Sequence, residues 1–191
     1  MPVTFSRPTD ADLERLFARV AVENVTYAGL SPTRGDPHRP GYRFGDHAEQ
    51  LGSGDGVFER AKHALRRWEA HRSAGATVVP ADAPLAVGTD VIVTLKLGPA
   101  YVLAPCRVVS AVDEPRRFGF SYATLPGHPE RGEEAFHIER SAAGVVTFRV
   151  QVVSRPALLL VRLAGPLAHL AQARATRQYL EGVRRFVSAD Q

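Results

Sequence analysis

The stretch Gly144-Val-Val-Thr-Phe-Arg-Val-Gln-Val-Val-Ser154 alternates with a period of two: Val146, Phe148, Val150 and Val152 fall on one face. Val145, Thr147, Arg149, Gln151 and Val153 fall on the other, so the segment reads as a strand with one apolar and one partly solvated face. After Ser154-Arg155-Pro156 the period changes to that of a helix and holds almost to the end. Pro156 suits a first helical turn, and Gly165-Pro166 should kink or divide the helix. Leu167, Leu170, Ala171, Tyr179, Leu180, Val183 and Phe186 form its apolar stripe, opposite Arg174, Arg177, Glu181 and Arg184. A helix over residues 166–187 would span about 33 Å, enough to cross a whole sheet.

Upstream of this strand the period of two recurs. The runs are TVVP (77–80), VGTDVIVTLKLG (87–98), YVLAPCRVVSAV (101–112), RFGFSYATL (117–125) and EEAFHIER (133–140). Asp113-Glu114-Pro115 marks one turn and Ser141-Ala142-Ala143-Gly144 a compact hairpin connection. About six consecutive strands without intervening helices predict an antiparallel meander. A strongly curved sheet closing on the terminal helix, the α+β arrangement known as a helix-grip, is one compact solution. A closed barrel with the helix packed outside is the alternative. A grip leaves space between helix and sheet unless large side chains fill it, and apolar ligands use such spaces.

Further toward the N-terminus, Thr9 and Asp12 form a capping-box pattern before Leu13, Leu16, Phe17 and Val20, predicting a helix over 9–20. Residues 31–46 (SPTRGDPHRPGYRFGD) are dense in Pro and Gly and read as a loop, with at most an irregular strand near 42–48. A helix is expected over 57–71, with Asp55 as N-cap and Phe58, Ala61, Leu65 and Trp68 as a core stripe. There are no repeats and no internal linker in the 191 residues, which predicts one domain.

No run approaches eighteen apolar residues, so no membrane span is expected. The start lacks a basic segment followed by an apolar one, which makes cytoplasm the default location. Cys106 is the single cysteine, excluding an internal disulfide and a cysteine-based metal cluster. The net charge is +4, yet its arginines are scattered among acidic residues in nothing longer than pairs. Nucleic-acid recognition needs a clustered basic face, so this pattern argues against it.

The densest polar stretch is Gly119-Phe-Ser-Tyr-Ala-Thr-Leu-Pro-Gly-His-Pro-Glu-Arg-Gly-Glu-Glu-Ala-Phe136. With Arg107 and Arg155 it supplies the candidate ligand-binding residues Arg107, Tyr122, Thr124, His128, Glu134 and Arg155. A histidine among carboxylates suits acid–base work or cation binding, whereas His128 between two prolines also suits a turn cap. Glu133 and Glu134 point to opposite faces of a strand, so one of them is expected to face inward and pair with Arg107 or Arg155. His128 and Glu130 supply too few ligands for a metal site. No nucleophile elbow, P-loop or dinucleotide fingerprint is present. Gly52-Ser53-Gly54-Asp55-Gly56 lacks the lysine and preceding strand of a phosphate loop, and reads as a helix entry. Cys106 reads as a small core residue.

Landmarks in order give the chain a resemblance. They are Tyr27-Ala28-Gly29, Gly52 with Phe58 to Trp68, Pro105-Cys106-Arg107-Val108-Val109, Gly119 to Phe136, Ser154-Arg155-Pro156, and Gln172 with Arg177, Tyr179 and Leu180. Over about residues 24 to 187 the chain resembles the family of bacteria and plants catalogued as domain of unknown function nineteen-ninety. Ala123 stands where that family more often has glycine, which bears on local backbone geometry. The resemblance implies a fold like the START and birch-pollen-allergen superfamily, with no activity or cofactor carried over. Three function classes follow: a module binding a small apolar or lipid-like ligand between sheet and helix, an enzyme using Arg107, Tyr122, His128 and Glu134, and an interaction protein. Oligomeric state is not legible in the sequence.

Overall fold

The computed structural model describes residues 3–27, 40–157 and 159–189, with the backbone alone from 159 to 172. The landmarks Ala28, Gly29 and Gln172 and the stripe positions Leu167, Leu170 and Ala171 lie outside what it describes. In chain order the elements are β1 (Val3–Thr4), α1 (Asp10–Val20), β2 (Arg43–Ser53), α2 (Asp55–Arg66), α3 (Glu69–Ser73), β3 (Ala76–Val79), β4 (Asp90–Leu97), β5 (Ala100–Glu114), β6 (Arg117–Thr124), β7 (Glu130–Arg140), β8 (Val145–Pro156) and α4 (Leu159–Ala189).

All eight strands form one antiparallel sheet in the order β2-β8-β7-β6-β5-β4-β3, with β1 on the free flank of β5. The six strands read from sequence are β3 to β8. The hairpin register is as the alternation requires, with Phe136 opposite Val150 and Ile138 opposite Phe148. The sheet is open, since β2 and β3 form its two edges. That rules out the closed barrel, and the fold is the α+β helix-grip.

Two glycines allow the central strands to approach closely. A Cβ on Gly119 would stand 2.2 Å from the Phe136 carbonyl oxygen, and one on Gly132 would stand 2.0 Å from that of Val153. Register shifts at Val108/Ser110 and Gln50/Gly52 add local bends.

One face of the sheet takes α2, α3 and α4. Phe58, Leu65, Trp68, Phe120, Phe136, Phe148, Tyr179, Val183 and Val187 are buried together there. The opposite face takes α1, whose Leu16 and Val20 pack on Ile92, Leu103 and Leu125. Helix α1 starts as the sequence predicts: the Thr9 hydroxyl accepts from the Asp12 amide, and the Asp12 carboxylate accepts from the Thr9 amide at 3.0 Å.

Several local expectations are corrected. The 43–53 region is a regular eleven-residue edge strand, because full pairing with β8 satisfies its backbone despite Gly45 and Gly52. A strand therefore does precede the glycine-rich entry, where the Gly54 amide is used by the Gly144 carbonyl at 2.9 Å. Gly54 is the N-cap of α2, and Asp55 is its first residue, ion-paired with Arg140.

The helix expected over 57–71 is two helices, broken where Trp68 adopts a left-handed conformation (φ 56°). That turn buries the indole, which donates to the Ala83 carbonyl at 2.9 Å and meets Phe120 edge-on at 4.9 Å. Burying a tryptophan is worth more than the roughly 1–2 kcal/mol cost of a left-handed residue. Finally, Pro156 ends β8, and α4 begins at Leu159 and runs undivided through Gly165-Pro166.

Helix α4 rests on α3 at a small-residue contact. A Cβ on Gly182 would lie 2.1 Å from Ser73 Cβ. Gly182→Ala is expected to destabilise the fold by about 1–3 kcal/mol, because overpacking outweighs a helix-propensity gain of about 1 kcal/mol. Urea unfolding of Gly182→Ala against the Ser73→Gly/Gly182→Ala double variant checks this. The double variant should recover most of the loss, and failure to recover would mean that the contact is not the cause.

Candidate functional site

Strands β6 and β7 present Phe118, Phe120 and Tyr122 and, beside them, Glu134, Phe136 and Ile138 to the grip interior, since Tyr122 and Glu134 are direct partners in the register. The Tyr122 hydroxyl donates to Glu134 Oε2 at 2.7 Å. His71 Nε2 lies 3.0 Å from the same hydroxyl. The phenol has one proton and gives it to the carboxyl, so Nε2–H of His71 donates to the phenolic oxygen. The result is a directed chain, His71 to Tyr122 to Glu134, with His71 Nδ1 left as an unpartnered acceptor among the described residues.

Aromatic rings enclose this chain. The His71 ring lies 5.0 Å from Trp68, 4.9 Å from Phe136 and 5.2 Å from Tyr179 on α4. Burial sets the protonation states. It pushes the Glu134 carboxyl up to about 7, opposed by the Tyr122 hydrogen bond and reinforced by Glu130. It holds His71 down to about 3, and lifts Tyr122 well above its ordinary range, with Glu134 adding to the rise. At neutral pH the imidazole and phenol are uncharged, and Glu134 is the member whose charge changes. Cys106 lies nearby in the core, and burial followed by the Glu134 charge raises its thiol, which disfavours a reactive thiolate.

The six residues predicted from sequence fall into separate places. Tyr122 and Glu134 are brought together. Arg107 faces α1 instead: it binds Asp90 through two contacts, one at 2.8 Å, and donates to the carbonyls of Val20, Ala21 and Glu23 at the end of that helix. Thr124 accepts from the Gly132 amide at 3.0 Å and lies 2.6 Å from the Thr26 hydroxyl. His128 accepts from the Glu130 amide at 2.9 Å and so closes the β6–β7 turn. Arg155 stacks on Tyr42, its guanidinium 4.9 Å from the ring centre.

Glu134 is the carboxylate that faces inward, as the alternation requires, but its partner is Tyr122 in place of an arginine. Sequence reasoning missed His71 and Tyr179. Tyr179 lay on the predicted stripe, while His71 carried no local signal, because its role depends on the break at Trp68.

A curved antiparallel sheet gripping a long terminal helix, with two short helices as its support, defines the START and birch-pollen-allergen class of fold. Solved structures agree: Ara h 8.0201 superposes with a TM-score of 0.52 at 12% identity, covering 78% of this chain and 99% of that one. Norcoclaurine synthase from Thalictrum flavum, solved in complex with dopamine and hydroxybenzaldehyde, gives 0.52 at 11% identity, covering 78% and 88%.

Within that class, residues 26–182 match the family described as "Domain of unknown function (DUF1990)", and the chain belongs to it. A UPF0548 protein of Deinococcus radiodurans is 38% identical over 185 residues, 90% of this chain and 92% of the relative. Among the described residues, no helix is long and apolar enough to cross a membrane.

Proposed function

We propose that this protein binds a small, largely apolar ligand between the sheet and α4, where Tyr122 and Glu134 meet the ligand's polar group and His71 orients Tyr122. The observation that carries this reading is Glu134: a half-buried carboxyl on the aromatic inner face, hydrogen-bonded to a phenol and ion-paired with no described arginine or lysine. Burying such a group costs several kcal/mol that an apolar residue would not. The fold supports the reading, since norcoclaurine synthase holds dopamine and hydroxybenzaldehyde. Of the other residues suggested by the sequence, Arg107, Thr124 and His128 serve the frame in this proposal, and Arg155 stands apart from the interior pair.

A second reading, acid–base catalysis on the bound ligand, is favoured by one feature. A carboxyl that titrates near pH 7 can both give and take a proton at working pH.

Binding of the fluorescent probe anilinonaphthalene sulfonate tests the proposal. Saturable one-to-one binding is expected, weakening about tenfold from pH 6 to pH 8 as Glu134 ionises and repels the sulfonate, an effect of about 1.4 kcal/mol. Glu134→Gln should bind with less than twofold change over that range. Non-saturable binding, or an unchanged pH profile in Glu134→Gln, would sink the assignment. Native mass spectrometry of freshly purified protein gives an independent readout of any retained ligand.

A further inference from the structure

Arg43, Arg131 and Arg155 line an open cleft of about 580 Å³, together with Gly41, Pro156 and Ala157, at the end of the sheet where β2 and β7 start and β8 stops. None of these lining residues is acidic. Arg131 and Arg155 are direct partners in the β7–β8 register and share a face, whereas Arg43, the partner of the adjacent Ser154, leaves the opposite face at the same end of the sheet. Like charges set directly opposite on antiparallel strands repel, so this arrangement costs stability unless something answers it. Among the described residues, none of the three guanidiniums forms a salt bridge.

The carboxylate at this end of the sheet is Glu130, opposite Pro156 in the register. It is hydrogen-bonded to Ser154 and interacts with Arg43, which leaves an excess of positive charge. Arg155 is also held in place by Tyr42, which packs on Tyr27 with ring centres 5.2 Å apart. A guanidinium fixed beside an open cleft has already lost the rotamer freedom that binding would cost it.

The geometry points to an oxyanion site at this end of the sheet, in which Arg131 and Arg155 receive a phosphoryl group, either free or as the head of an amphiphile, with Arg43 adding positive charge at the rim of the cleft. Two donor forks side by side on one face suit the several oxygens of such a group. The site is distinct from the Tyr122–Glu134 pair and stands whatever that pair binds.

Thermal unfolding of the full chain in inorganic phosphate, against sodium chloride at equal ionic strength, separates binding from screening. Phosphate should raise the midpoint by several degrees more than chloride does. Arg131→Gln should unfold at a higher temperature than wild type without phosphate, because one of two opposed charges is gone, and should lose the phosphate-specific rise. Arg67→Gln, exposed elsewhere on the surface, should keep it. Calorimetric titration should show at least tenfold weaker phosphate binding in Arg131→Gln and Arg155→Gln.

Octyl phosphate distinguishes the two sources. Binding at least tenfold tighter than phosphate, with the same arginine dependence, assigns the head of an amphiphile, and equal affinity assigns a free anion. An equal response to phosphate and chloride, or binding that survives both arginine substitutions, overturns the proposal.

Discussion

Lowering the pH from 6.5 to 4 is expected to remove about 6 kcal/mol of stability, a large share of the 5–15 kcal/mol that holds a typical domain. The cause is three imidazoles that the fold keeps neutral. Burial holds His71 down to about 3, burial outweighs the Glu130 hydrogen bond to hold His128 down to about 4, and burial with the charges of Arg117 and Arg149 holds His137 down to about 4. In the unfolded chain all three regain their ordinary value near 6.5. Below that pH the unfolded state binds more protons than the folded one, so stability is complete above 6.5 and falls as the medium is acidified.

Glu134 acts in the opposite direction. Its folded value is raised to about 7, so between its unfolded value near 4.5 and 7 the folded state holds the extra proton, and acidification favours folding. The net slope is therefore about 2.5 kcal/mol per pH unit between about pH 6 and 4, and it does not steepen below about 4.5, because His128 and His137 begin to take up protons in the folded state where Glu134 ceases to oppose. Urea midpoints from pH 4 to pH 8 would measure this curve. Glu134→Gln should be more stable relative to wild type at pH 8, and that advantage should vanish by pH 4.5. His71→Phe should flatten the acid limb. A wild-type curve that is level from 6.5 to 4.5 would show that the three imidazoles are not held as described.

Replacing Phe136 by alanine is expected to cost about 3–5 kcal/mol, the range for a fully buried aromatic. Its ring touches the centre of the interior: Phe120 is stacked on it at 5.2 Å, Tyr122 and Tyr179 both lie at 5.6 Å, and His71 lies at 4.9 Å. Neighbours on three elements cannot all move in to fill the void, so the cost should sit toward the upper end. The variant should also gain measurable affinity for benzene, because a dry apolar hole accepts an apolar guest. Urea unfolding and ligand-dependent thermal shifts read the two effects. A cost near 1 kcal/mol, with no benzene effect, would mean that the surrounding side chains close the void.

Much of this fold was legible in the sequence because a strand's side-chain period reports which face is buried. The alternation through Val146, Phe148 and Val150 and through Phe118, Phe120 and Tyr122 sets both the strands and their inner face. Where structure depends on distant partners, the local signal misleads. The edge strand 43–53 looked like a loop because its glycines weaken intrinsic propensity, while its stability comes from β8. The break at Trp68 is invisible in a helical stripe that would suit a continuous helix equally well.

The candidate site divides along the same line. Tyr122 and Glu134 were legible as inward-facing neighbours on adjoining strands. Their company was not. His71 reaches Tyr122 only because α2 and α3 turn at Trp68, and Arg107 is drawn to the other face by Asp90 and the end of α1.

The sequence by itself determined an antiparallel sheet, a long terminal helix and the polarity of each strand face, since these follow from periodicities that need no partner. Tertiary structure alone decided that a histidine 51 residues before Tyr122 would donate to it, and that three arginines from β2, β7 and β8 would share one cleft. Both depend on how distant segments are brought together in space, which no local pattern of side chains records.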